Sequence, residues 1–592
     1  MAALSVQSTI AVLLAVLAAA RLGAIFFHGE PPRRRALFGA VGLVAITVVV
    51  VWLLGLGGLV SGKIIFGALV VGTAGLFVWH RERTLGVPWR KLLVAETAPL
   101  AIVAGVTVLV AALAAYWLPV WQWDSLGYHL PYVNFVLQGG GFAGVPRDVP
   151  YLSTYPHDVE LAVIAWRSLL PNDALVDAVQ IPFGLLGAGA VACLARELGA
   201  RTEHAVGAGL FWLTLPAVFL QLPTNYIDVA AASLLLAAAA FAMAPLSTRN
   251  LLGAGVALGL FLGSKPNAPV GTTLTLAALA WRVWRSDRRS SLLRPFAGAI
   301  GVIVVLGAGS YLANIMRHGN PIWPVKLRLG PLVLPGTYDM QELLDSGALV
   351  PRLHGFVLWR VVRSWVSLDA PPMFDMHYGG LGLAFLVALP LALRTAIRRR
   401  EGILVLLALA TLASPDPAVP RYILAFPGLV LALGAASLPS DVRLRRLGYA
   451  VATLATALLL HRAYPALAGE GPPLADYARM NPIERERAVG ADGPPRDFRD
   501  ALARLGPGEG TAFDASFHLP YLAWPDDLSH ASTRIPDDVD RAGAERLLDD
   551  KTVRLFIVDP RSPVAATARS RGSEFIELFQ CKSSTCIVLL RS

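Results

Sequence analysis

The chain is poor in charge. Lys, Arg, Asp and Glu make up 16% of its 592 residues, where about 25% is usual in soluble globular proteins. So few polar residues cannot cover a fold of this length in water, which excludes an ordinary cytosolic enzyme, a coiled coil, a fibre and a disordered chain. Nucleotide and hydrolase signatures are also missing: there is no Walker A sequence, no H-E-x-x-H and no G-x-S-x-G. No repeat of 20–50 residues is visible, nor the strong inverted symmetry of many transporters. Cysteine is scarce, with three residues. Cys193 lies in an apolar segment and reads as a small core residue.

What the chain has instead is apolar length. Residues of the AVILMFWYC set make up 55%, with a mean hydropathy of +0.57. This composition predicts a polytopic α-helical membrane protein. The formal net charge is +10, but the arginines cluster between apolar segments. That is the pattern of the positive-inside rule, and no nucleic-acid role is expected.

Apolar runs of spanning length fall at about Ser5–Phe27, Ala36–Val60, Lys63–Trp79 and Thr97–Pro119. Further runs lie near Asp173–Ala195, His204–Leu220, Ile227–Ala244, Leu251–Ser264, Ala268–Trp284 and Pro295–Ala313. The last are Gly379–Leu393, Ile403–Ala413, Tyr422–Leu438 and Leu447–Leu460. Basic turns at Arg33–Arg35, Arg81–Lys91, Arg282–Arg289, Arg394–Arg400 and Arg443–Arg446 alternate with them and are expected in the cytoplasm. The expectation is about fourteen crossings, with both termini and the long loops Val120–Asn172 and Asn314–Tyr378 outside the cell membrane. From about Ala466 the composition becomes polar. Residues 466–592 are expected to form a small extracytoplasmic α/β domain. Strands are predicted at Gly510–Asp514 and Arg554–Val558, and helices near Phe498–Leu505 and Ala542–Leu548. Phe575–Gln580 and Ile587–Leu590 alternate like a terminal hairpin, and a Cys581–Cys586 disulfide is expected to close it.

The candidate chemistry gathers on the outer side. Asp124 follows a spanning helix within Trp121-Gln-Trp-Asp124-Ser-Leu-Gly-Tyr128-His129. It reads either as the cap of the helix Ser125–Gln138 or as a catalytic carboxylate at a membrane boundary. On an α-helix Tyr128 would share its face while His129 would be offset. Tyr155-Pro156-His157-Asp158-Val-Glu160 starts an amphipathic stretch. With His129, the residues His157, Asp158 and Glu160 offer oxygen and nitrogen atoms that could hold a divalent metal, or they form a polar helix start. Asn225 and Asp228 open another spanning helix on the same side, where an acid also suits the helix dipole. Lys265 lies between two short segments. It either snorkels to the headgroups or meets a lipid phosphate. Arg421, followed by Tyr422, is an interface anchor or a phosphate clamp.

In this order, four pieces resemble the C-type polytopic glycosyltransferases (GT-C), the group of the protein O-mannosyltransferases and the aminoarabinose transferases of lipid A. They are Trp123-Asp124 to Pro131, Tyr155-Pro156, Gly259 to Lys265, and the pair Gly319-Asn-Pro-Ile-Trp-Pro324 and Pro420-Arg421-Tyr422. The resemblance spans roughly Tyr116–Pro439. It implies N-terminal transmembrane helices over 1–119, a catalytic module over 120–465 and the soluble domain over 466–592. It further implies a polyprenyl-phosphate sugar donor held at the membrane lipid boundary. Transfer would go with inversion to a hydroxyl on an acceptor glycan, lipid or protein. Asp124 takes the role of general base. Many members carry two adjacent acids there; this chain has Asp124-Ser125, so Asp158 or Asp228 would have to supply the second. Three extra N-terminal helices before the acidic loop also depart from the common layout. The rival readings are a transporter or lipid flippase, with ionisable residues at mid-membrane depth, and an envelope scaffold without a lipid-facing cavity.

Overall fold

The computed structural model describes residues 5–79, 96–339, 356–366, 372–375, 380–399, 402–412, 414, 416–438, 441–469, 471–489, 497–581 and 585–592. The basic turn expected at Arg81–Lys91 and Arg400 of the Arg394–Arg400 cluster lie outside the described residues.

Among the described residues, seven helices are long and apolar enough to cross a membrane. They include Val6–Phe26, Pro32–Leu56, Gly62–Trp79 and Ala98–Trp117, close to the bounds expected from hydropathy. Ser5 caps the first, its side chain accepting from Ser8 N–H at 3.1 Å. Pro32 opens the second, so Arg33–Arg35 form its first turn rather than a separate loop. The first two helices meet backbone to backbone: a Cβ on Gly39 would stand 2.0 Å from the carbonyl oxygen of Ala19. Only glycine permits that approach.

Two of the other expected crossings, Asp173–Ala195 and Leu447–Leu460, overlap the further spans Val176–Glu197 and Val442–Ala468, whereas two more are broken. The run His204–Leu220 is the helix Thr202–Leu213, stopped before Pro216 and followed by a short turn Pro216–Phe219. The run Pro295–Ala313 becomes Arg289–Gly307 and a separate amphipathic helix Gly309–His318. Asp228–Met243 is buried at every residue and so is the axis of the bundle. It packs on Gln180–Glu197, Thr248–Leu262 and Ala425–Ala435. Ser233 Oγ donates to the Phe183 carbonyl at 2.7 Å, and Gln180 accepts from Ala230 N–H at 3.1 Å. These bonds fix the height of the axial helix, and with it Asp228 at its first turn.

The C-terminal region carries a five-stranded mixed sheet. After the hairpin β1 (Leu327–Leu329) and β2 (Leu332–Leu334) of the second long loop come β3 (Gly510–Phe513), β4 (Ser532–Arg534), β5 (Val553–Val558), β6 (Phe575–Gln580) and β7 (Ile587–Arg591). Their order is β4-β3-β5-β7-β6. The first three are parallel, and β7 runs antiparallel to both neighbours. The helix Phe498–Leu505 predicted from sequence is Asp497–Leu502. Strand β4 and the helix Pro563–Ser570 were not expected. The alternation along β5 divides the sheet. Val553, Phe556 and Val558 face the helices Arg541–Asp549 and Pro563–Ser570, while Leu555 and Ile557 join the main hydrophobic core. One face of the sheet is thus closed by its own helices and the other is packed toward the membrane module. Cys581 and Cys586 are joined in a disulfide between β6 and β7, and Cys193 is buried and free.

Candidate active site

Four elements meet where the first long loop touches the bundle. Residues Ser125–His129 form one π-helical turn, with Leu130 N–H bonded to the Ser125 carbonyl, and the α-helix Leu130–Gly139 continues from it. Asp124 has helical dihedrals and its side chain makes no capping bond. The capping reading is therefore replaced: the carboxylate is turned away from the helix end. The wider π turn also corrects the expected facing, because residues five apart now align. His129 is near enough to act electrostatically on Asp124.

The partner of Asp124 is Arg421, whose Nη1 donates to Oδ2 at 2.7 Å. Arg421 sits on the 3₁₀ turn Pro420–Ile423, which leads into the fully buried helix Ala425–Ala435. Its guanidinium lies 4.9 Å from the Tyr226 ring and 5.0 Å from the Tyr422 ring. Its Nη2 donates to the Tyr422 hydroxyl at 3.2 Å. Asp124 N–H donates to the Tyr226 hydroxyl at 3.3 Å. Burial pushes the Asp124 carboxyl up, but Arg421 and then His129 outweigh it and hold the group below the usual carboxylate range.

A second ion pair stands beside the first. Lys265 Nζ donates to Oδ1 of Asp228 and lies 5.1 Å from the Tyr422 ring. Lys265 occupies the turn between Thr248–Leu262 and Ala268–Trp284, where its carbonyl accepts from the Tyr311 hydroxyl at 2.7 Å. Tyr422 is thus shared by both cations. The side chains of Lys265 and Arg421 are each 16% exposed and Asp124 is 20% exposed, so a solute can reach them.

A third cluster is drier. His129 Nδ1 lies 2.8 Å from Oε1 of Glu160, and His157 Nδ1 lies 3.5 Å from the same oxygen. The His157 ring stacks on Tyr132 at 3.8 Å. Burial pushes Glu160 up, but its bonds to His129 and His157 outweigh that and bring it down to about 2. Among the described residues, no group of three His, Cys, Asp or Glu side chains could hold a metal ion. The two histidines already share Glu160. Asp158 points elsewhere: its N–H donates to the Gly263 carbonyl at 2.8 Å, and a Cβ on Gly263 would stand 2.0 Å from its Oδ2. That oxygen is buried without a hydrogen-bond partner. Burial, with Glu160 adding to it, raises the Asp158 carboxyl well above its usual range. Asn225 is also diverted, donating to Asp177 in the bundle.

The structure thus brings together Asp124, Tyr128, His129, Asp228, Lys265, Arg421 and Tyr422. It sets His157 and Glu160 behind them and leaves Asp158 and Asn225 apart. Sequence reasoning missed several groups. Tyr151 and Tyr155 gather around Tyr128, with centroids 5.3–6.2 Å apart. Tyr226 carries the Asp124 backbone. Asp375 follows Phe374, whose carbonyl accepts from Arg421 N–H at 3.0 Å and whose ring meets Tyr226 at 5.0 Å. Its Oδ1 is buried without a hydrogen-bond partner. Burial raises its carboxyl, against the pull of Arg421. The available signal was an acid next to an aromatic residue in the second long loop, as in Trp123-Asp124.

No protein-family model matches the chain, and no curated protein matches it. Solved structures do. ArnT from Cupriavidus metallidurans bound to undecaprenyl phosphate is similar with a TM-score of 0.51 at 14% identity, over 84% of this chain and 98% of that one. Its apo state gives 0.50 at the same identity and coverage. The arabinofuranosyltransferase AftD from Mycobacteria is similar over 83% of this chain and 40% of that one, at 15% identity and a TM-score of 0.44. The chain has the fold of a GT-C polytopic membrane protein, a helical bundle with a small C-terminal sheet.

Proposed function

We propose that the chain is a membrane glycosyltransferase that moves a sugar from a polyprenyl-phosphate donor to an acceptor hydroxyl, with inversion. The observation that carries this reading is the two neighbouring ion pairs, Arg421–Asp124 and Lys265–Asp228, whose cations are partly exposed and joined through Tyr422. The similar ArnT structure is bound to undecaprenyl phosphate. A lipid phosphate needs two things from such a site: cations for the leaving charge and an apolar wall for the chain.

Transfer requires the acceptor hydroxyl to lose its proton as the sugar C1–O bond to phosphate breaks. In this reading the oxygen attacks C1 from the face opposite the phosphate, and the new C1–O bond forms with inversion. The proton goes to Asp124, and the bonding pair leaves with the polyprenyl phosphate. Arg421 and Lys265 take the charge that develops on that phosphate. At rest both cations are occupied by carboxylates. An incoming phosphate competes for Arg421 and frees an Asp124 oxygen toward the acceptor. Losing Arg421 also raises the proton affinity of Asp124, which suits a base. Asp158, buried against Gly263 and raised by that burial, does not serve as the second acid. Asp228 and Asp375 are nearer.

The test is incubation of the purified protein with radiolabelled polyprenyl-phosphate sugars and membrane extract. Label moving into an acceptor fraction supports the reading, and ATP-independent movement of lipid across vesicles without transfer favours the flippase instead. The site and the C-terminal sheet are assigned to the extracytoplasmic side, from the arginine distribution. Reporters fused after Ala143 and Ser592 are expected to score outside. A cytoplasmic score at Ser592 contradicts that assignment.

A further inference from the structure

The C-terminal sheet ends in an edge strand, β4, whose outward backbone groups would ordinarily face solvent. One side chain of the first long loop closes that edge. Gln138 Nε2 donates to the Ser532 carbonyl at 3.0 Å, and Ser532 N–H donates back to Gln138 Oε1 at 2.8 Å. The same oxygen accepts from Trp524 Nε1 at 2.9 Å. A primary amide bonded to both the N–H and the C=O of one residue copies the pairing of a neighbouring strand. Ser532 and Trp524 are buried, whereas Gln138 itself is exposed.

Gln138 lies in the last turn of Leu130–Gly139. Upstream the chain runs without a break through the π turn to Asp124, a rod of about 20 Å at helical rise. The C-terminal region grips it again along its length. The Phe135 ring meets Trp524 edge-on at 4.9 Å, and the Ser125–His129 turn packs on the turn Pro520–Ala523. Two further bonds tie the same region to the end of the first long loop and the residue that follows it: Arg167 donates to the Asp526 carbonyl, and Tyr521 donates to Asp173 at 2.9 Å. The segment that presents Asp124 is therefore held between the bundle, through Arg421, and the soluble sheet, through Gln138.

We propose that Gln138 is a positioning residue: by pairing with the edge of the C-terminal sheet, it holds the Leu130–Gly139 helix so that Asp124 stays in reach of the acceptor. The claim rests on the glycosyl transfer proposed above. It makes the C-terminal sheet part of the scaffold of the reaction rather than an appended domain. Gln138 touches no substrate, and its loss should act on the chemical step and not on donor capture by Arg421 and Lys265.

The experiment uses the full chain in nanodiscs, with Gln138→Leu, which removes all three bonds at an exposed site, and Gln138→Glu, which keeps only the two accepted ones. Three quantities are read: single-turnover transfer rate, binding of polyprenyl phosphate, and amide hydrogen exchange across Ser125–Val136. Gln138→Leu should lower the rate about five- to tenfold, the scale of one or two lost hydrogen bonds. Phosphate binding should stay within about twofold, and exchange across Ser125–Val136 should accelerate. Gln138→Glu should fall between wild type and Gln138→Leu. Unchanged exchange in Gln138→Leu overturns the proposal, as does a rate loss matched by an equal loss of phosphate binding. Should the wild-type protein transfer no sugar, the glycosyltransferase reading fails, and the exchange result alone decides whether Gln138 holds the helix.

Discussion

The two ionic clusters of this site look alike in sequence and differ in the structure. One joins Asp124 to Arg421 and Asp228 to Lys265, partners separated by 297 and 37 residues. The other joins Glu160 to His129 and His157, and its side chains are no more than 9% exposed. In the first, Lys265, Arg421 and Asp124 keep 16–20% of their side-chain surface exposed while Asp228 is buried, so a ligand can compete for the two cations. The second is dry and closed on itself, which suits a fixed support. Placing acids and bases at one boundary is thus not enough to make a reactive site. Reactivity needs cations that a ligand can take from their resting partners.

That contrast can be broken by exchanging the expected phenotypes. In the open cluster, Arg421→Lys replaces a two-pronged donor with a point charge. It should weaken polyprenyl-phosphate binding about 10- to 100-fold while the melting temperature moves little, since the pair is partly solvated. Lys265→Ala should also cost donor affinity, and more than acceptor affinity. If neither variant changes donor binding in titration, the two are interface anchors and the contrast fails.

In the dry cluster the expected loss is of stability. Glu160 is depressed in the folded protein, to about 2. Its contribution is therefore present above the ordinary glutamate range near 4.3 and is lost as pH falls toward 2. From the displacement it amounts to at most about 3 kcal/mol. Glu160→Gln should lower thermal stability at pH 7 and flatten the acid limb of the stability curve. A variant as stable as wild type, with the same acid limb, would show that Glu160 is no support.

A smaller effect is expected at the seam between the two clusters. Gly263→Ala puts a methyl group against the Asp158 carboxyl and should destabilise by about 1–3 kcal/mol, as overpacked sites do. It should leave donor binding intact, because Lys265 lies beyond the helix end. A loss of donor affinity larger than the loss of stability would instead tie Asp158 to the open cluster. The smallest change is expected of Asp375→Asn. The carboxyl is raised by burial, so the amide imitates its protonated form and turnover should shift by less than about tenfold.

Hydropathy made the spanning helices legible, and period-two alternation made β6 and β7 legible. Both patterns are local. The breaks at Thr214 and Ala308 were not, because a continuous apolar run conceals a Pro216 stop or a change of helix direction. Strand β4 has three residues and no pattern of its own. In the site, the acids and cations were visible one by one, but their pairing was not. Sequence left Lys265 and Arg421 as either interface anchors or phosphate-binding cations, whereas each holds an aspartate from another element. The π turn hid the approach of His129 to Asp124 for a related reason, since an α-helical count puts the two on different faces. Asp375 escaped because an acid next to an aromatic residue, Phe374, is a short signal in a long loop without periodicity.

The central claim is that Asp124 takes the acceptor proton. The most direct measurement is single-turnover transfer by Asp124→Asn, with donor binding measured on the same preparation. The amide keeps the shape of the side chain and can still face Arg421, but it cannot accept the proton. The account predicts a folded, membrane-inserted protein that binds donor and transfers sugar about 10²–10⁴-fold more slowly. Turnover near that of the wild type would contradict it and direct attention to Asp228 and Asp375.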